Sequence, residues 1–295
     1  MFKLNQKTDA PLLIVLGQSN AHGHKTRLPA DQRILQPLKN VYGLSREKNQ
    51  AFDLPDVTWS GFTSFGMNLG ETQDHTCCLA TEFARLWQRH IDEGNELGLP
   101  DLYVIQISVG GQGIASSEKF GNMWYKDREP ILKPGHLFEV DISLYPLTVQ
   151  ILEKAVWNLR CAGKVPKVIG LHWNQWETEV DTGGDAIRQA GENLTQLFRG
   201  FREAAGQDFV IYLYRPLSEV YQNPEGLKVM TDILNDFTKD AAHYQWIDLS
   251  KSELYDERLQ NKGIFQDDGV HYHCEAHKWF AKTFFDHLFF KSEDV

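Results

Sequence analysis

The chain has 295 residues, 42% hydrophobic and 24% charged, the make-up of a globular protein able to bury a sizeable core. Its 30 basic residues against 40 acidic ones give a formal charge of −10, with no run of Lys or Arg. That balance argues against nucleic acid or an anionic membrane surface as a partner, and no apolar stretch approaches the roughly 20 residues needed to span a bilayer.

In chain order, the leading "MFKLNQKTDA" lacks the apolar segment of a signal peptide. A cytoplasmic location is the default expectation, and a secreted or periplasmic one if an export signal has been removed. The first predicted strand is "LLIVL" (12–16), followed by "NVYGL" (40–44). Residues 77–91 predict a helix, because Leu79, Phe83, Leu86, Trp87 and Ile91 recur at three and four. "LYVIQIS" (102–108) and "KVIGLHW" (167–173) read as strands. A helix is predicted over 185–203, where Ile187, Ala190, Leu194, Leu197, Phe198 and Phe201 form one face. "FVIYLY" (209–214) and "YQWIDL" (244–249) complete the strands, and a last helix near 275–290 carries Ala276, Trp279, Phe280, Phe284 and Leu288.

Most of these strands are apolar on both faces, as expected where helices cover each side. Strands alternating with helices indicate a parallel sheet with right-handed crossovers, here one α/β domain over 1–295. Two stretches, 46–76 and 115–143, are rich in Gly, Asp, Asn, Trp and Phe without period. Aperiodic segments of this length are usually functional loops, and in open parallel sheets ligands bind at the carboxyl ends of the strands.

Four short blocks stand where chemistry is expected. The first strand runs into Gly17-Gln18-Ser19-Asn20, so that Ser19 would sit at the top of the sheet, with Gln18 and Asn20 tying the turn down. A serine hydroxyl is a weak nucleophile and needs a base in reach and a third group to orient that base. "DDGVH" near the carboxyl terminus supplies Asp268 three residues before His271, close enough to fold back and hold the imidazole tautomer. Gly110 and Gly111 follow the strand at 102–108, where a backbone N–H can approach a substrate without a side chain intervening. "WNQWE" (173–177) follows the next strand, and Gln175 there offers a side-chain donor to an oxyanion. Each block alone has a bland reading as a turn, a cap or a loop polar; their order and their placement after strands carry the weight.

Taken together, these blocks resemble those of the SGNH hydrolases, and most closely the sialate O-acetylesterase and acetylxylan esterase group of carbohydrate esterases. The resemblance runs from about Pro11 to Phe290. It implies a flavodoxin-like three-layer α/β/α sandwich and a catalytic triad of Ser19, Asp268 and His271. Oxyanion donors would be the amides of Ser19 and Gly110 or Gly111, with the Gln175 side chain. "TEFARLW" (81–87) is similar to the helix that follows a Gly-Pro-Glu signature, with Ala80-Thr81 in place of Gly-Pro. Where the family's third block has His and Gly, this chain has Asn174 and Trp176. The implied activity is removal of O-acetyl groups from a carbohydrate without a cofactor.

Gln18, Asn20, Trp124, Trp176 and Glu177 are the candidate substrate contacts, the two tryptophans because aromatic faces suit pyranose rings. Tyr125 and Trp173 are weaker candidates of the same kind. A non-catalytic carbohydrate-binding module and an esterase for short-chain lipids are the alternatives. His271, His273, Cys274 and His277 with Asp267 and Asp268 also raise a metal-dependent esterase, but no second cluster of matching spacing accompanies them, His22 and His24 being the only near candidates, and no metal is expected. The cysteines at 77, 78, 161 and 274 show no CxxC spacing and are expected to be reduced, partly buried thiols.

Overall fold

The computed structural model describes residues 2–24, 26–33, 36–44, 61–64, 68–69, 77–115, 121–127, 143–217, 221–255 and 264–290. Most of the aperiodic stretches 46–76 and 115–143, expected to wall a pocket, therefore lies outside the described residues.

The centre of the fold is β1 (Asp9–Gly17), buried along its whole length. Its side chains divide by parity, as a strand requires. Leu12, Ile14 and Leu16 join one apolar cluster, while Leu13 and Val15 join the other. Each such aliphatic side chain, fully withdrawn from water, contributes about 2 kcal/mol. β5 (Leu102–Ser108) and β6 (Val165–Asn174) pair with β1 on either side, both parallel. β2 (Val41–Leu44) lies beyond β5, and β7 (Ile211–Tyr214) and β8 (Tyr244–Ile247) beyond β6. The sheet is not wholly parallel, because β3 (Phe62–Ser64) closes the far edge antiparallel to β2. A two-residue β4 (Asn68–Leu69) pairs with the upper part of β5.

Helices cover both faces. On one, α2 (Leu79–Asp92) packs with α7 (Cys274–Phe289), Phe83 and Phe284 meeting with ring centroids 4.9 Å apart. The other carries α3 (Leu144–Cys161), α5 (Gly184–Ala205) and α6 (Pro224–Thr238) around Phe198 and Phe201. The result is the expected three-layer α/β/α sandwich. Two short helices complete it: α1 (Ser19–His22) after β1 and α4 (Glu177–Thr182) after β6. No helix among the described residues is long and apolar enough to cross a membrane.

Since β5 and β6 lie on opposite sides of β1, the direction of strand progression reverses there, the switch point at which open α/β sheets bind ligands. The register levels three strand ends, with Gly17 beside Ser108 on one flank and Asn174 on the other. The blocks after these strands therefore meet at one edge.

The cysteines correct an expectation. Cys77 and Cys274 form a disulfide across 197 residues, joining the segment before α2 to the first residue of α7. Cys78 and Cys161 remain free thiols. Nothing in the spacing pointed to the pairing, because the packing of α2 against α7 creates the proximity.

Candidate active site

The chain leaves β1 through Gly17, which has φ 141°, and a Cβ there would stand 2.0 Å from the carbonyl oxygen of Asn174. Only glycine satisfies both constraints. The Gln18 amide then donates to Asn174 O at 3.1 Å, and the Gln18 side chain accepts from Gln175 Nε2 at 2.9 Å and Thr178 Oγ1 at 3.1 Å. The turn is thus tied down as its amides suggested, with Gln18 3% exposed and its Oε1 engaged inside the protein. Ser19 opens α1 and is 9% exposed.

The turn after β5 lies alongside. Val109 N donates to Gly17 O at 3.2 Å, and a Cβ on Gly110 would be 3.4 Å from Ser19 Cβ. Gly110 is thus the glycine that approaches the serine. Gly111 is exposed, adopts φ 67° and has no atom within 4 Å of a would-be Cβ, so its part is to turn the chain.

His271 is held by its own loop. Asp268 Oδ2 meets His271 Nδ1 at 2.8 Å, while Asp268 Oδ1 accepts the backbone N–H groups of His271 (3.0 Å) and Val270 (3.1 Å). Burial works to raise the Asp268 pKa, but these donors outweigh it and hold the carboxyl well below the usual carboxylate range. An ionised Asp268 keeps the proton on Nδ1 and leaves Nε2 with its lone pair.

Asn20 brings this loop to the serine. Its Nδ2 donates to Val270 O at 3.1 Å and its Oδ1 accepts from Tyr272 N at 3.1 Å, gripping the backbone on both sides of His271. The residue after Ser19 thereby holds the residues that bracket His271. His24, whose amide donates to Ser19 O at 2.9 Å, packs its ring 4.7 Å from that of His271.

Other candidates are placed differently from expectation. Gln175 is fully buried, and its Nε2 donates to Gln18 Oε1 (2.9 Å) and Gln112 O (2.6 Å), so its donor protons brace the loops and none is left for an oxyanion. Trp124 and Trp176 are 0% and 1% exposed, and their indole N–H groups donate to Gly17 O (3.2 Å) and Tyr214 O (2.8 Å). Trp173 is equally buried, and Tyr125 alone of the four aromatics is partly exposed. Large aromatics satisfy the core first when their polar atom finds a partner inside. Asn20 and Glu177 also contact protein, Asn20 Nδ2 donating to Glu177 Oε1 at 2.9 Å. Burial raises the Glu177 pKa, partly offset by that hydrogen bond.

His273 is exposed just before α7, whereas His277 is 1% exposed in the core, its pKa pushed down to about 3 by burial. The two share no ligand-bearing face. Among the described residues, the one group with ligand atoms close enough for a metal is Cys77, Glu82 and Cys274, where both sulfurs are joined in the disulfide. Glu82 lies near the start of α2, paired with Arg85 at 3.2 Å.

The sequence reading gave two residues, His22 and Glu179, no part in the esterase site. His22 is buried with its ring near Gly110, and burial, with His24 and His271 adding to it, pushes its pKa down to about 3 against a hydrogen bond that the ring donates to the Ser108 backbone carbonyl. Glu179 accepts Ile114 N–H at 2.6 Å, and burial pushes its pKa up to about 7 despite that bond. The His-x-His of "SNAHGH" and the second acid of "WETE" were the available signals.

No protein-family model matches the sequence, and no curated protein matches it. Solved structures do. NanS is similar with a TM-score of 0.62 at 13% identity, over 96% of this chain and 99% of that one. A protein from Arabidopsis thaliana is similar with a TM-score of 0.57 at 15% identity, over 95% of this chain and 99% of that one. At these identities the likeness is one of fold, a three-layer α/β/α architecture.

Proposed function

We propose that this protein is a serine esterase that removes O-acetyl groups from a carbohydrate through an acetyl-enzyme. The observation that carries the reading is the ionised Asp268–His271 couple, anchored through Asn20 to the residue beside Ser19 at the switch point of the sheet. Likeness of fold to NanS supports the same class of chemistry.

In this reading His271 Nε2 takes the Ser19 proton as Oγ attacks the acetyl carbonyl carbon. The carbonyl π pair moves to oxygen, and the oxyanion is met by the backbone N–H groups of Ser19 and Gly110, donors that cost no reorganisation. The intermediate collapses with cleavage of the C–O bond to the sugar, and the imidazolium returns its proton to the departing alkoxide. Water, deprotonated by the same imidazole, then attacks the acetyl-serine and releases acetate. Asp268 stays ionised throughout and stabilises the imidazolium. No cofactor enters the scheme, and the substrate is a small acetylated sugar or a glycan. The Cys77–Cys274 disulfide supports an oxidising compartment as its place of work.

Hydrolysis of 4-nitrophenyl acetate, butyrate and octanoate by wild type and Ser19→Ala tests the reading, followed by a panel of acetylated sugars. The expected result is a rate that falls with chain length and drops by about three orders of magnitude or more in Ser19→Ala. Equal feeble rates from both proteins, with sugar binding retained, would sink it in favour of a binding module.

A further inference from the structure

One short segment, Gln175 to Glu179, reaches two loops directly and a third through Asn20. Gln175 donates to Gln112 O and Gln18 Oε1, and Glu179 accepts from Ile114 N, so the turn carrying Gly110 is braced at two points. Between them Glu177 accepts from Asn20, whose remaining donor and acceptor hold Val270 O and Tyr272 N. Asn20 has two N–H donors and one carbonyl oxygen, and each is used. Its orientation is set by its surroundings, because a backbone carbonyl and a carboxylate demand the amide nitrogen while Tyr272 N–H demands the oxygen. Glu177 Oε2 is buried with no hydrogen-bond partner among the described residues, and Asn20 is the side chain from which this carboxylate accepts. The backbone between Gln175 and Glu177 is itself unusual: Trp176 adopts φ 131°, a conformation L side chains rarely hold unless the surroundings impose it.

We infer that Asn20 and Glu177 are a pair of positioning residues that set Ser19 against His271, Glu177 orienting the Asn20 amide and Asn20 fixing the backbone on both sides of the histidine. The inference rests on the reading of Ser19 and His271 as nucleophile and base. Neither residue needs to touch substrate, because Asn20 is 2% exposed and fully engaged. What the pair governs is the distance and angle from Nε2 to Oγ, so its loss is felt in the chemical step more than in substrate binding. A displacement of about 1 Å between reacting groups costs roughly 100-fold in rate.

Wild type, Ser19→Ala, Asn20→Ala, Asn20→Asp, Glu177→Ala and Glu177→Gln should be compared on 4-nitrophenyl acetate across pH, each checked for folding by circular dichroism and thermal melting. Asn20→Ala is expected to lower kcat by about 100-fold with KM changed by less than about threefold, and to move the acidic limb of the kcat/KM profile that reports His271. Asn20→Asp keeps the shape and the acceptor for Tyr272 N–H but loses both donors, so it should lose rate as well and covers the case in which Asn20→Ala does not fold. Glu177→Gln keeps an oxygen for Asn20 and should recover most of the rate lost in Glu177→Ala. A folded Asn20→Ala or Asn20→Asp protein with wild-type kcat and an unmoved pH profile would overturn the inference and leave the esterase reading standing, provided Ser19→Ala is inactive. Glu177→Gln no better than Glu177→Ala would remove Glu177 from the pair. Equal rates from wild type and Ser19→Ala would remove the esterase reading and the pair's role with it.

Discussion

Breaking the Cys77–Cys274 disulfide is the perturbation whose size follows most directly from the structure. The bond closes a loop of 197 residues, and it ties down the region that presents His271, since Cys77 N donates to Thr26 O and Thr26 Oγ1 to Tyr272 O. The loss of denatured-chain entropy on closing so long a loop corresponds to about 5 kcal/mol near room temperature, an upper figure since measured bridges usually deliver 2–4. With an unfolding entropy of about 2 cal/mol/K per residue, the chain should melt roughly 3–8 °C lower once reduced. The assay is thermal unfolding of wild type with and without a phosphine reductant, beside the Cys77→Ser/Cys274→Ser double variant. Alkylation of denatured, unreduced protein followed by mass measurement should add two labels, on Cys78 and Cys161. Four labels, or a melting point that moves by less than about 1 °C in both reduced protein and double variant, would refute the pairing.

Acid should destabilise the fold through three buried histidines. His22, His172 and His277 each have a pKa pushed down from 6.5 to about 3, by burial in every case. Their contribution is present above pH 6.5 and lost as pH falls toward 3, because the unfolded chain takes up protons the folded one refuses. Glu179 works in the opposite direction, its raised pKa contributing stability below 4.5 that is lost as pH rises through about 7, and the raised carboxyls of Glu177 and Glu82 act with the same sign. The His172→Gln substitution should therefore flatten the urea-midpoint profile between roughly pH 6 and 5 by about 1 kcal/mol per pH unit; an unchanged slope there contradicts the assigned burial. Trp176 yields an inverted size order: Trp176→Gly and Trp176→Ala both lose about 3–5 kcal/mol of indole packing. At φ 131°, however, the glycine variant should be the more stable by about 1 kcal/mol, and a more stable alanine variant in denaturant unfolding would show that the backbone is not constrained there.

Much of the scaffold was legible in the sequence. The predicted strand at 102–108 coincides with β5, and the other five lie within a few residues of β1, β2, β6, β7 and β8. Apolar runs of this kind are local signals, and a two-faced apolar strand has few other uses. Helix α3 was not read although Leu144, Thr148, Ile151, Leu152, Ala155 and Leu159 mark its buried face. Pro146 looks like a breaker there, yet it falls in the first turn, where a missing N–H costs no helix bond. Helix α6 buries only Gly226, Met230 and Leu234, too sparse a stripe to stand out, although Asn223-Pro224 marks its start.

The candidate site divides along the same physical line. Asp268 and His271 were readable as a couple because they lie three residues apart and a single turn brings them together. Ser19 and the glycines were readable as features of strand ends, since backbone freedom is a local property. Which way a side chain faces after such an end is not local. By residue type Trp124 and Trp176 look like substrate contacts and Gln175 like an oxyanion donor, but partners at Gly17, Tyr214, Gln18 and Gln112 draw their polar atoms inward. The Asn20 clamp spans some 250 residues of chain and the disulfide 197, and both exist because strand order and helix packing bring those segments together. Period and turn chemistry act between near neighbours and are written in the sequence; contacts between distant segments are decided by how the layers close over the core.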